Sequence, residues 1–130
     1  MLAGLTFLLS SPVFAYPEGA PWDAADVNSA DSCNSCHFDQ EPVRASDSIS
    51  ILFPERIDAD GENLLRVIVD ADVSAVVGFL LQSEAGTFTG EEGVEVLEGQ
   101  VRSTHPSRPQ EGRVVWHIRW RAPQLSLIHI

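Results

Sequence analysis

In several runs between Ser48 and Arg121 the large apolar residues recur at every second position, and this period constrains the fold more than any other feature of the chain. Successive side chains of an extended strand point to opposite faces, so a period of two marks a strand with one face buried. The last run shows it most clearly. In Val114-Val115-Trp116-His117-Ile118-Arg119-Trp120-Arg121, one face carries Trp116, Ile118 and Trp120, and the other carries His117, Arg119 and Arg121. Earlier, Leu65, Val67, Val69 and Ala71 alternate with Leu64, Arg66, Ile68 and Asp70, after a turn signal at Asp60-Gly61. Val77, Phe79 and Leu81 repeat the device, and Ile49, Ile51 and Phe53 form a first apolar row. Thr87–Thr89, Val94–Leu97 and Gln100–Ser103 read as shorter strands separated by Gly90, Gly93 and Gly99. Frequent turns without a sustained 3.6-residue period predict a mainly β, antiparallel sandwich. The crossover helices of a parallel α/β sheet are missing.

Residues 16–47 are of another kind: Pro, Gly, Ala, Asp, Ser and Asn dominate, and few large apolar side chains occur. Such a stretch cannot build a core unaided and is expected to be mostly loop, with short helical turns near Trp22-Asp23 and around residue 33. It holds both cysteines of the chain, in Ser32-Cys33-Asn34-Ser35-Cys36-His37. Cys-x-x-Cys-His is the order of a c-type haem attachment site. Cys33 and Cys36 are spaced to form thioethers with the two vinyl groups, and His37 follows as proximal ligand of the iron. A covalently held haem would supply the apolar body this stretch lacks, with Trp22 and Phe38 as candidates to pack on it.

Other chemistries fit the same residues. Structural zinc needs four ligands, and His105 and His117, the histidines left within the sandwich region, are not a spaced pair. A redox-active Cys-x-x-Cys normally opens a helix in a βαβ pattern, which does not follow here. A small Cys33–Cys36 disulfide loop in an exported protein is the plainest alternative. Asp58, Asp60 and Glu62 around Gly61 resemble a calcium loop faintly, without the full ligand series, and read better as a solvated turn. No nucleophile elbow, phosphate-binding glycine loop or paired-histidine metalloprotease motif occurs, so no catalytic residue is assigned.

Residues 2–15 form an apolar run too short to cross a bilayer, with Val13 and Ala15 framing a cleavage site after Ala15. Residues 1–15 therefore read as a signal peptide, although the usual basic start is absent. Export to the periplasm or cell surface agrees with covalent haem, which is attached outside the bacterial cytoplasm. The final residues, Leu125-Ser126-Leu127-Ile128-His129-Ile130, match the translation of a transposon-based sequencing adapter and are read as foreign, so His129 is not counted as a ligand. A genuine alternating terminal strand is the other reading of those six residues.

The formal net charge is -11, and all eight positive charges are arginines. An acidic surface disfavours nucleic acid and anionic membranes and favours a redox partner with a basic docking surface. For the distal face of the iron the sole methionine, Met1, lies in the signal and is unsuitable. That leaves His105, His117, a terminal amine, water or a residue beyond the truncation; His105, in the loop Ser103-Thr104-His105-Pro106-Ser107, is favoured over His117, on a strand between arginines.

Taken together, the signal, the early Cys-x-x-Cys-His, the strands leading to Gly78-Phe79-Leu80-Leu81, then Gly86-Thr87-Phe88, His105 and Trp116-x-x-x-Trp120-x-Ala122-Pro123 resemble bacterial reelin-domain-like proteins, also described as choice-of-anchor V domain proteins. The resemblance runs from about Ser32 to Gln124. It implies an immunoglobulin-like β-sandwich, exported and often held by a C-terminal anchor. Such proteins continue past the Ala-Pro pair, so the resemblance also implies that residues 48–124 are a truncated sandwich lacking its last strand or two. Any membrane anchor would then lie in that missing part. The functional expectation is an exported c-type haem protein that passes electrons, with the sandwich as docking module. The alternative is an extracellular adhesion or interaction sandwich with a Cys33–Cys36 disulfide and no haem.

Overall fold

The computed structural model describes residues 19–24 and 45–124. They contain seven strands and no helix: β1 (Ile49–Leu52), β2 (Glu62–Asp70), β3 (Leu80–Gln82), β4 (Thr87–Thr89), β5 (Val94–Leu97), β6 (Gln100–Ser103) and β7 (Arg113–Arg121). They form two antiparallel sheets, one ordered β1-β2-β7-β4 and the other β3-β6-β5. The mainly β, antiparallel expectation is met, and the two sheets share one core in the manner of a β-sandwich.

The β2–β7 pair is the spine. Leu65 lies opposite Ile118 and Val67 opposite Trp116, while Arg66 lies opposite His117 and Leu64 opposite Arg119. Directly opposed residues share a face, so the period-two pattern of both strands is brought into phase by this one register. Leu65, Val67, Val69, Trp116 and Ile118 from this sheet form a single buried cluster with Val94 and Val101 from the other. Val77, Phe79, Leu81 and Trp120 pack against it, as the alternation predicts. The Phe79 and Trp116 rings meet at 5.1 Å between centroids, tying the sheets together.

The third apolar run forms less strand than its pattern suggests. Val77 exchanges two hydrogen bonds with Ser107 in an isolated bridge, but β3 proper begins only at Leu80. Between them the Phe79 N–H donates to the Ser103 hydroxyl, at 3.2 Å, instead of to a backbone carbonyl. Near Trp22-Asp23 the structure has one tight turn, closed by Ala24 N–H donating to the Pro21 carbonyl at 3.2 Å. The expected helical turn around residue 33, the signal at 1–15 and the terminal residues 125–130 lie outside the described residues.

Two hairpins turn on Glu-Gly pairs. Glu98 and Gly99 link β5 to β6 with φ of 39° and 81°, and Glu111 and Gly112 precede β7 with φ of 53° and 80°. Two consecutive residues at positive φ give the turn twist that matches paired strands. At the other end of β2, the turn carrying Asp58 and Asp60 is held by a polar knot around Asn63, while Glu62 faces Thr89 and Arg119 instead. The Asn63 side chain accepts the Asp58 N–H at 2.6 Å and donates to the Asp58 carbonyl at 2.9 Å, and its residue is only 3% exposed. The Asp58 carboxylate accepts the Asp60 N–H at 3.0 Å, so it already serves the turn. Asn63→Ala would remove both bonds to the Asp58 backbone, each worth about 0.5–1.5 kcal/mol, and is expected to lower stability by about 1–3 kcal/mol, read as a lower urea midpoint at unchanged slope.

Candidate haem-attachment segment and its histidines

Cys33, Cys36 and His37, with Phe38, lie outside the described residues, so what the structure places is the two ends of the segment that carries them. The incoming end is clamped to the outer face of the three-stranded sheet. Val101 points into the core, which turns its neighbours Gln100 and Arg102 outward, and residues 19–24 lie over them. The Ala20 carbonyl accepts from Arg102 Nη1 at 2.6 Å. Asp23 and Gln100 bond reciprocally: the Asp23 N–H donates to Gln100 Oε1 at 2.7 Å, and Gln100 Nε2 donates to Asp23 Oδ1 at 2.8 Å.

Arg102 is the hub. Its guanidinium lies 4.2 Å from the centre of the Trp22 ring and pairs with Glu95 at 2.6 Å. A cation over an aromatic face, partly withdrawn from water and held by a carboxylate, has a fixed place. Trp22, a candidate to pack on a haem, thus presents one face to Arg102. Gln100 and Ala24 are buried beneath this cover. Nothing in the sequence signalled the clamp, because Asp23 and Gln100 are far apart in the chain and a glutamine in an alternating strand reads as solvent-facing.

The outgoing end re-enters at Ala45 and leads into β1, where the Ser48 carbonyl accepts the Asp70 N–H at 2.8 Å. Residues 25–44 span the two ends. Fully extended, they would reach on the order of 65 Å, about twice the ~30 Å length of a nine-residue strand. Reach therefore does not choose between the two candidate distal histidines; their surroundings differ instead.

His105 is exposed on the loop after β6, with Nδ1 3.1 Å from the Thr104 hydroxyl oxygen. Its Nε2 has no partner among the described residues. Held on one nitrogen and open on the other, the ring has the arrangement an axial ligand uses. His117 sits on β7 on the outer face of the four-stranded sheet, opposite Arg66, in an open depression lined by Leu64, Glu91, Glu92 and Arg119. Arg119 is paired to Glu91 and lies 3.7 Å from Glu62. The structure keeps His105 and His117 apart, one on a loop and one on a sheet face. Among the described residues no three or more His, Cys, Asp or Glu side chains are grouped to hold a metal ion.

Four of the arginines, Arg66, Arg113, Arg119 and Arg121, share this outer face of the β2–β7 pair. Asp70 pairs with Arg113 at 2.6 Å, and that hydrogen bond holds its carboxyl below the ordinary 3.8. Arg121 donates instead to the Asp60 carbonyl at 3.1 Å. Comparison with family models, with curated proteins and with solved structures gives no match to this chain.

Proposed function

We propose that the chain is an exported c-type haem protein that transfers electrons, in which Cys33 and Cys36 hold the haem by thioethers, His37 is the proximal iron ligand and His105 the distal one. The observation that carries this reading is the Cys-x-x-Cys-His order in a stretch too polar to fold alone, behind an apolar leader. Bound there, the haem would supply a one-electron iron couple. The protein's part is positioning. The Asp23–Gln100 and Ala20–Arg102 bonds fix where the segment leaves the sandwich, and β1 fixes where it returns.

The reading includes an immunoglobulin-like sandwich of the reelin-domain-like kind as the docking module. Its net charge of -11 favours a basic redox partner, since opposite charge steers encounter over long range. Matured in a host able to attach c-type haem, the protein should show a Soret band that survives acid-acetone extraction. Loss of that band on extraction, together with a Cys33–Cys36 disulfide, would replace this function with that of an extracellular interaction module.

A further inference from the structure

The sandwich leaves one row of its inner face bare. On β2 the inward Val67 and Val69 are 2% and 8% exposed, but their cross-strand partners Ile51 and Ile49 on β1 are 38% and 56% exposed. Phe53, next in the same row, is 58% exposed and meets the edge of Trp120 at 6.5 Å between ring centres. The three side chains are turned inward like core residues, yet among the described residues no strand stands across from them. A contiguous apolar row of this kind marks a contact surface.

The two ends of the haem-attachment segment lie on either side of that row. Ala20 is bonded to Arg102 and Asp23 to Gln100, so residues 19–24 run against the direction of β6 and leave the sandwich at the end where β6 begins. Ala45 re-enters at the opposite end, just ahead of β1. Ile49 pairs with Val69 near the end of β2, and Arg108, after β6, donates to the Ser74 carbonyl, after β2, at 3.4 Å. Residues 90–93 join β4 to β5 and close the far side, which puts β3 on the side of β1. The direct way between the two ends therefore passes the outer edge of β3 and lies over Ile49, Ile51 and Phe53.

Chemistry selects the occupant. Between residues 25 and 44 the large apolar side chains are Val27, Phe38 and Val43, too scattered to cover three large groups. A haem is a broad apolar disc, and the water around it sets the potential of its iron. Trp22 does not serve this side, because its ring meets Arg102 on the outer face of the other sheet. From Cys36 to Ala45 an extended chain reaches about 30 Å, against about 13 Å from Ile49 to Phe53. His105, in the loop leading to Arg108, stands at the end of the sandwich where β1 begins.

We infer that Ile49, Ile51 and Phe53 of β1 form the apolar wall on which the haem carried by residues 33–37 packs. The inference rests on the haem reading, and the mass of the matured wild-type protein checks that reading first. With haem mass present, the methyl resonances of Ile49 and Ile51 should shift between the matured protein and the Cys33→Ala, Cys36→Ala variant, because a macrocycle against them imposes its ring current. Those of Leu64 and Val115, on the outer face, should stay in place.

Ile51→Asp puts a carboxylate against the haem and should favour the ferric state at least threefold, about 28 mV for a one-electron couple. Val115→Asp, at a residue 41% exposed on the outer face, adds the same charge and should move the potential far less. Both variants should keep the covalent haem mass. The inference is overturned if the haem mass is present and the Ile49 and Ile51 methyls do not move, or if the two aspartate variants shift the potential equally. It is overturned as well if a second copy covers the row in the haem-free protein, seen as concentration-dependent shifts of the same methyls. Absence of haem mass from the wild type would overturn the haem reading itself, and this inference with it.

Discussion

The double variant Cys33→Ala, Cys36→Ala, matured in a host able to attach c-type haem, is expected to carry no covalent haem, with the added mass and the extraction-resistant Soret band both lost. Each thioether joins one cysteine to one vinyl group, so the single variants should keep at most one bond and a weakened attachment. His37→Ala acts differently: the thioethers can still form, but the proximal bond goes and the visible spectrum shifts. His105→Ala separates electron transfer from gas binding. If His105 is the distal ligand, a six-coordinate low-spin iron becomes high-spin on its removal, and the same change on His117→Ala would move the assignment to the strand face. The exposed position of His105, with one ring nitrogen against Thr104, means its loss should cost the fold little, so a spectral change would report ligation. A wild-type protein with no added haem mass and an intact Cys33–Cys36 disulfide would refute the haem reading.

Trp116→Ala is expected to lower stability by about 3–5 kcal/mol, a large share of what a domain of this size has. The indole is 6% exposed in the middle of the core, packed on Phe79 of the other sheet, and its removal leaves a cavity that both sheets line. His117→Ala, one residue on, should change stability by no more than about 0.5 kcal/mol, because that side chain points to solvent on the outer face. Urea unfolding of the two variants measures the contrast directly. Equal losses at the two positions would mean that β7 does not sit with Trp116 inward.

The contrast between neighbours on β7 also marks what could be read from the chain alone. Which side of a strand faces the core is a local property, since successive side chains alternate whatever the strand pairs with. Leu65, Val67, Val69, Trp116 and Ile118 were therefore legible as core, and the glycines at 90, 93 and 99 delimited the short strands. The attachment chemistry proposed for Cys33, Cys36 and His37 is likewise a local reading, as it rests on an order of five residues that lie outside the described part of the chain.

Pairing is another matter. Backbone hydrogen bonds are the same for every residue, so nothing local announces that β2 lies between β1 and β7, or that β4 joins their sheet and β3 the other. The buried polar residues follow from that assembly. Asn63 becomes a knot only when the turn at Asp58 folds over it, and Gln100 is buried only because residues 19–24 cross its sheet. Ile49, Ile51 and Phe53 show the limit most directly, because their alternation is that of core residues and yet they are exposed. The sequence of β1 determines that these three share a face; whether anything covers that face depends on how many strands stand opposite, which is settled by long-range pairing and by no residue of β1.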